Sequence, residues 1–153
     1  MKVTIRDLYS KDETGAEMYR IVDEYADDLE NILIITAGKK IPFDELELLE
    51  AFDVIRNIPY KQDKAPVEIL ARPLYINNDT GADCKKKSIL MASYLRLNRY
   101  PYRFVAVSSM PDRKVHHVFT QALINGQWRN LDPTYQNAVP FDHKKVTRFE
   151  VLK

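Results

Sequence analysis

Three residues of this chain, a cysteine, a histidine and an aspartate, have the types and the order that nucleophilic acyl transfer requires. Cys84 is the single cysteine among 153 residues. His117 lies in a β-rich run, and Asp132 follows a second such run that begins after Asn125-Gly126. A thiol nucleophile needs a base that removes its proton and a carboxylate that orients the base. The sequence therefore contains the parts of a thiol active site, provided that the fold brings them together.

The residues around Cys84 predict that the thiol stands at the start of a buried helix. Asp83 is a favourable N-cap residue, because its carboxylate accepts a hydrogen bond from the first turn. Leu90, Tyr94 and Leu97 recur at helical spacing farther along the chain. The positive end of the helix dipole favours an anion and therefore the thiolate form. The alternative is that Cys84 is a small buried apolar residue, as lone intracellular cysteines commonly are.

A predicted β-hairpin relates His117 to Asp132. Asn-Gly between two β-rich runs is a strong signal for a two-residue turn, because both turn positions need positive φ. His117 and Asp132 lie at similar distances from residues 125 and 126, so we expect them to be neighbours across the hairpin. His116 and His117 must point to opposite faces of the strand, so only one of them can face Cys84.

Four short motifs follow one another along the chain with compatible spacing. They are Gly81-Ala82-Asp83-Cys84, His117-Val118-Phe119, Gly126-Gln127-Trp128 and Leu131-Asp132-Pro133-Thr134. Together they resemble the transglutaminase-like (papain-like) superfamily of Cys-His-Asp enzymes, in its small single-domain bacterial or phage type. The resemblance covers residues 55–135. The sequence departs from the family pattern in the inserted Ala82 and in Lys85, Lys86 and Lys87, which stand where acidic or mixed residues are usual.

The resemblance implies an α+β fold with a transglutaminase-like core. In such a core the cysteine helix packs on an antiparallel sheet of about four strands, here with additional N-terminal helices. The resemblance also implies that Cys84 is the nucleophile and that Asp132 orients the base. It selects His117 over His116 as that base, because the family pattern has an aromatic residue two positions after the histidine. The backbone N–H of Cys84 would supply one oxyanion donor.

Three more residues are candidates for the oxyanion hole or the cleft, namely Tyr75, Asp83 and Trp128. Tyr75 is a candidate because family members often use an aromatic or amide side chain before the cysteine, and its alternative role is ordinary packing. Trp128 shares a strand face with Asp132, and we expect it to pack beside the triad or to shield the His–Asp bond rather than to bind ligand. His143 lies in a late loop and is expected at the surface.

The rest of the chain predicts helices before the cysteine and a strand after the hairpin. One helix is predicted from the capping box Thr14–Glu17 to near Gly38, and a second from Phe43 or Asp44 to about Asn57. Residues 59–80 are predicted to form an ordered loop that walls the site and has room for a short helix at Val67–Ala71. The final predicted strand is Val146–Leu152.

Length, charge and composition limit the other functions. The chain suits a single domain over residues 1–153. The formal charge of +1, from 23 basic and 22 acidic side chains, gives no bulk attraction to nucleic acid or to a membrane. One cysteine and three histidines without zinc-ligand spacing predict no metal, and no other cofactor is expected. No signal peptide or membrane-spanning run is predicted, so we expect a cytoplasmic protein, or a virion component if the source is viral.

Two functions from different classes remain open at this point. The first is a thiol acyl-transfer enzyme with a peptide or protein substrate. Within it we favour a peptidase or amidase over an amine-accepting transglutaminase, because the compact chain lacks room for accessory domains. The second is a catalytically idle fold that serves as a structural or interaction subunit of a larger assembly. A nucleic-acid-binding module is a third alternative, for which the nearly neutral charge leaves little room.

Overall fold

Helices packed against an antiparallel sheet form the fold, and the computed structural model describes residues 2–6, 11–63 and 67–153. The helices of these ranges are α1 (Lys11–Tyr25), α2 (Leu48–Arg56) and α3 (Cys84–Leu97). The strands are β1 (Lys2–Arg6), β2 (Leu33–Thr36), β3 (Lys39–Pro42), β4 (Val67–Ala71), β5 (Tyr102–Ser108), β6 (His117–Ile124), β7 (Gln127–Leu131) and β8 (Arg148–Val151). Short 3-10 segments occupy Ala26–Asn31, Phe43–Glu45 and Pro73–Tyr75. The predicted α+β class is confirmed.

Four strands form the main sheet in the order β7-β6-β5-β8, and each neighbouring pair is antiparallel. The β6–β7 hairpin turns at Asn125 and Gly126, whose φ angles of 51° and 77° are the positive values that a two-residue turn requires. Thr120 pairs with Leu131, so the start of β6 and the end of β7 lie at the same end of the hairpin. The predicted four-stranded sheet, Asn-Gly turn and final strand are confirmed.

Helix α3 is the central element of the core. Every residue in the range 87–95 is buried, because β5, β6, α1, α2 and the segment Ala26–Asn31 all contact this helix. Ser88 is tolerated there because its hydroxyl donates a 2.6 Å hydrogen bond to the carbonyl of Cys84, one turn earlier. A helix that is buried on all sides has a fixed position, and the residue that begins it is therefore fixed relative to the sheet.

The first helix begins earlier than predicted. It starts at Lys11 instead of at the capping box Thr14–Glu17, so Gly15 lies inside the helix. A Cβ atom on Gly15 would lie 3.0 Å from Cδ1 of Leu152, so this glycine allows a close approach of the C-terminal segment. Gly15, whose position suggested a helix start, is therefore explained by a packing contact inside the helix.

The first helix also ends earlier than predicted. It stops at Tyr25 and gives way to the 3-10 segment Ala26–Asn31 and then to β2. Ala37 and Gly38, with φ angles of 50° and 76°, form the turn of a β2–β3 hairpin rather than the end of a helix. The prediction of a helix that reaches Gly38 was wrong, because its apolar spacing runs on through the 3-10 segment and the strand.

Two further predictions before the cysteine need correction. Helix α2 begins at Leu48, because Glu47 and Glu50 form its capping box, whereas its predicted end near Asn57 is confirmed. The segment Val67–Ala71, where the predicted loop has room for a short helix, is strand β4, which pairs antiparallel with β1. Pairing with a strand more than sixty residues earlier in the chain satisfies the β4 backbone, and local sequence cannot show such a partner.

Candidate active site

The N-terminus of α3 positions Cys84. The Asp83 carboxylate, which is 1% exposed as a residue, accepts a 3.0 Å hydrogen bond from the backbone N–H of Lys86 through Oδ1. This cap defines Cys84 as the first residue of the helix, where backbone N–H groups have no partner within the helix. Cys84 is 8% exposed and still lines a pocket at the surface.

The hairpin positions His117 and Asp132 beside the thiol. His117 is the first residue of β6, and Asp132 follows the last residue of β7. Nε2 of His117 lies 2.7 Å from Oδ2 of Asp132. The same imidazole interacts with the side chain of Cys84, which is one of the groups that raise its pKa. Because Nε2 is occupied by the carboxylate, Nδ1 is the ring nitrogen that remains for the thiol.

Two more residues hold the Asp132 carboxylate. Thr134 donates to Oδ1 from its backbone N–H, at 3.3 Å, and from its hydroxyl. Nζ of Lys144 lies 2.9 Å from Oδ2, the oxygen that His117 also contacts. Both carboxylate oxygens are thus engaged, and a buried carboxylate in this setting stays ionised.

The electrostatics of the pair follow from these contacts. Burial alone would lower the pKa of His117, but the hydrogen bond to Asp132 and the contact with Cys84 raise that pKa to about 9. Burial alone would raise the pKa of Asp132, but His117, Lys144 and Thr134 lower it to about 2. At neutral pH the site therefore holds a carboxylate and favours an imidazolium next to the thiol.

The three lysines that follow Cys84 each have a partner and turn away from the pocket lining. Nζ of Lys85 lies 3.0 Å from Oδ2 of Asp83, and Nζ of Lys86 lies 3.3 Å from Oδ1 of Asp63. Lys87 is completely buried, and its ammonium donates to the carbonyls of Thr134 at 2.8 Å and Arg56 at 3.2 Å. Burial lowers the pKa of Lys87 to about 8, against the opposing attraction of Asp132.

A pocket of about 340 Å³ opens over the thiol, the imidazole and the carboxylate. Such a volume lies at the lower end of the range of roughly 300–1,000 Å³ that is usual for ligand pockets. The residues that line it are Tyr60, Cys84, Val107, Ser109, His116, His117, Asp132, Tyr135, His143, Lys144, Lys145 and Val146.

The structure brings together three of the predicted site residues and places the others elsewhere. Cys84, His117 and Asp132 share the pocket. Asp83 is the helix cap. Tyr75 ends the 3-10 segment Pro73–Tyr75 and is outside the pocket lining. Trp128 pairs across the hairpin with Leu123 near the turn, is 37% exposed and stacks under the guanidinium of Arg103 at 4.2 Å.

The position of Trp128 differs from the expected position beside the triad, because residue 128 lies near the turn end of the hairpin and Asp132 lies near its open end. Tyr60, rather than Tyr75, is the tyrosine of the pocket. Its ring packs 5.2 Å from the ring of Tyr135, which in turn stacks on the imidazole of His117 at 6.4 Å.

Several pocket residues gave no signal in the sequence. Lys144, Lys145 and Val146 come from the segment between β7 and β8, and only the fold shows that this segment passes the site. His143, expected at the surface, is exposed and also lines the pocket. His116 lines it too, and its Nε2 accepts a 2.9 Å hydrogen bond from the backbone N–H of Ser109.

No group of three or more His, Cys, Asp or Glu side chains in the described ranges has an arrangement that could hold a metal ion. Among the helices that the structure describes, none has the length and apolar character needed to cross a membrane.

The chain was compared with curated proteins, with solved structures and with protein-family models. No curated protein matches the sequence. The 1.9 Å crystal structure of a candidate cysteine protease from Cytophaga hutchinsonii is similar over 90% of this chain and 51% of that chain, with 13% sequence identity and a TM-score of 0.45. The chain thus spans about half the length of that protein. The family model of the transglutaminase-like superfamily matches residues 34–133, a range that holds α3, β5, β6, β7, Cys84, His117 and Asp132. Since this match covers most of the chain, the protein belongs to the transglutaminase-like superfamily.

Proposed function

We propose that this protein is a thiol acyl-transfer enzyme with a Cys84–His117–Asp132 triad, acting as a cysteine peptidase or amidase on a peptide or amide bond. The observation that carries the proposal is the double contact of His117. Its Nε2 lies 2.7 Å from the Asp132 carboxylate, and the ring also interacts with the Cys84 side chain, with which it shares the pocket. A base held between a nucleophile and an orienting carboxylate is the arrangement that activates a thiol.

The proposed reaction has two stages. His117 takes the proton of the Cys84 thiol, and the thiolate attacks the carbonyl carbon of the substrate. The tetrahedral oxyanion accepts a hydrogen bond from the backbone N–H of Cys84 at the start of α3. The imidazolium then gives its proton to the leaving amine, and a thioester remains on Cys84. His117 next removes a proton from water, the hydroxide displaces the thiolate, and the acid product leaves.

The charges around the pocket favour water over an amine as the second substrate. Among the described residues that line the pocket, Asp132 is the one acidic residue, and its carboxylate is already engaged by His117 and Lys144. Lys144 and Lys145 face the same pocket and repel an alkylammonium acceptor. The pocket therefore favours hydrolysis of the thioester by water over its transfer to an amine.

The proposal is tested by the pH dependence of Cys84 alkylation with iodoacetamide. An ordinary thiol is half ionised at a pH of about 8.5, whereas the pKa of a thiol paired with histidine falls to roughly 3.5–7.5. We expect the wild-type protein to react well below neutral pH, and His117→Ala to lose this reactivity, because the partner of the thiolate is removed. Cys84 is the single cysteine, so the loss of free thiol reports this site alone.

His116→Ala is the matched control for this experiment. His116 is the adjacent histidine, and its Nε2 is engaged by the backbone N–H of Ser109, so we expect its replacement to preserve the reactivity at low pH. Equal alkylation profiles in wild type and His117→Ala would show that the triad is idle. The fold would then serve as a structural or interaction subunit, and a binding partner should be sought.

A further inference from the structure

Two groups of pocket residues differ in character. Tyr60 and Tyr135 form an aromatic pair, with 41% and 52% of these residues exposed. The opposite chemistry comes from three consecutive residues between β7 and β8, His143, Lys144 and Lys145, which we name the basic wall. The triad mechanism uses none of these three side chains directly, although Lys144 contacts Asp132.

The charge of the basic wall is not balanced inside the pocket. Asp132 is the one acidic residue of the lining within residues 2–6, 11–63 and 67–153, and it already contacts both His117 and Lys144. Lys145 is exposed and has no carboxylate partner in the part of the chain that the structure describes. The lysines next to the nucleophile differ in this respect, because Lys85 and Lys86 lie against carboxylates.

This imbalance is local, because the whole chain carries a formal charge of only +1. A concave site lined by charges of one sign concentrates its field and attracts ligands of the opposite sign. The ammonium of a lysine on a flexible stem is a point charge suited to a carboxylate that can arrive in several geometries. The pocket therefore suits an anionic group that belongs to the same ligand as the group that reacts with the thiol.

We propose that the basic wall is a subsite for a carboxylate, so that the enzyme prefers acidic peptides as acyl donors. This assignment rests on the proposed function and names its substrate class. The carbonyl carbon of the substrate lies at Cys84, and a carboxylate of the same ligand lies against Lys145. The carboxylate comes from an acidic side chain beside the scissile bond or from the C-terminus of a peptide. Tyr60 and Tyr135 also line the pocket and give flat apolar faces to the uncharged part of the ligand.

Two alkylating probes test the charge preference. Iodoacetate and iodoacetamide share a leaving group and nearly share a size, but only iodoacetate is an anion. The quantity to measure is the ratio of their rate constants at Cys84, divided by the same ratio for a free small thiol. We expect a normalised ratio above one in the wild type, and a fall of roughly tenfold in Lys145→Gln, in line with the field effects of charged clefts. Lys145→Glu should lower it further.

The controls separate the basic wall from other sources of the preference. Lys40→Gln removes the same charge from an exposed position on β3, outside the pocket lining, and should leave the ratio unchanged. The His117 imidazolium also attracts iodoacetate, so the comparison that decides is between wild type and Lys145→Gln, which both keep His117. An unchanged ratio in Lys145→Gln and Lys145→Glu overturns the subsite.

The same data distinguish failure of the subsite from failure of the triad. The triad is judged by the dependence of the absolute rate on pH and on His117. The subsite is judged by the ratio of the two reagents, which is also measurable at alkaline pH, where any thiol reacts. An idle triad with a ratio that depends on Lys145 supports an anion site without catalysis.

Protection of Cys84 from iodoacetamide identifies the source of the carboxylate. One peptide carries its only carboxylate on a side chain, a second carries it only at the C-terminus, and each has a neutral amide counterpart. We expect one charged peptide to protect better than its neutral counterpart, and the difference to disappear in Lys145→Gln. Equal protection by charged and neutral peptides overturns the assignment.

Discussion

At the scale of single residues, the Asp132 carboxylate is the group on which the site depends. Its Oδ2 contacts both His117 and Lys144, and its Oδ1 accepts from Thr134. Charge-assisted hydrogen bonds of this kind compensate the loss of hydration in a buried position. The orientation and the charge of the imidazole both follow from this one carboxylate.

Asp132→Asn should therefore change the protonation of His117. The pKa of His117 is about 9 in the wild type, because the hydrogen bond to Asp132 outweighs the lowering of this pKa by burial. Without the carboxylate we expect the titration midpoint of His117 to fall toward or below the ordinary value of about 6.5. Imidazole NMR signals followed from pH 5 to pH 10 would measure this fall.

Asp142→Asn, an exposed carboxylate in the loop before Lys144, is the matched control and should leave the midpoint in place. A midpoint that is the same in wild type and Asp132→Asn would mean that the carboxylate does not set the charge of the imidazole.

Sequence patterns identified the residues whose signal is local. Cys84 could be placed at a helix start from Asp83 and the apolar spacing after it, and His117 could be related to Asp132 through the turn at 125–126. Lys144 could not be identified, because it reaches the pocket from the segment between β7 and β8, which carries no motif.

At the scale of elements, buried Lys87 connects three parts of the fold. It stands one turn into α3, and its ammonium donates to the carbonyl of Arg56 at the end of α2 and to that of Thr134 beyond β7. Thr134 is also the residue that donates to Asp132. Lys87 thus fixes the distance between the helix that carries the thiol and the segment that carries the carboxylate.

Lys87→Met should destabilise the fold and loosen the triad. It leaves two carbonyls without their donor, and a buried unsatisfied acceptor costs about 1–3 kcal/mol. We expect a loss of that size in the free energy of unfolding by urea. Reactivity of Cys84 with iodoacetamide at low pH should also fall, because the Asp132 segment loses its contact with α3.

Lys86→Met provides the comparison for this prediction. Lys86 belongs to the same helical turn but keeps some exposure and has Asp63 as its partner at 3.3 Å, so its loss should cost less than the loss of the completely buried Lys87. Equal losses in the two variants would indicate that Lys87 has no special role.

The elements that could be predicted are those with strong local signals. The Asn125-Gly126 hairpin and α3 belong to this group. The sequence predicts a continuing helix in place of the β2–β3 hairpin at Ala37-Gly38, because apolar residues at helical spacing also fit a 3-10 segment followed by a short strand. Strand β4 forms only by pairing with β1, which is a contact between distant parts of the chain.

At the scale of the whole molecule, the triad affects the stability of the fold in acid. The pKa of Asp132 falls from an ordinary value of 3.8 to about 2, so its stabilising effect is complete above pH 3.8 and disappears as the pH falls through 2. At about 1.4 kcal/mol per pKa unit, the stabilisation at stake is roughly 2 kcal/mol.

The unfolding free energy, measured by urea titration between pH 2 and pH 6, should therefore decrease in acid more for the wild type than for Asp132→Asn. Other carboxylates, such as Asp28 with its lowered pKa beside Arg72, contribute to both proteins and cancel in the difference. Two parallel curves would show that Asp132 is not stabilised by its contacts in the folded state.

The two-residue turn of the β6–β7 hairpin also limits the ways in which this chain can evolve. Side chains on a strand alternate between faces, so inserting or deleting one residue between His117 and Asp132 would shift the pairing and reverse the faces. A deletion would then present His116, and an insertion Val118, where His117 now stands. Substitutions on the exposed positions of these strands leave the spacing intact. Selection should therefore tolerate substitutions in this segment more readily than insertions or deletions.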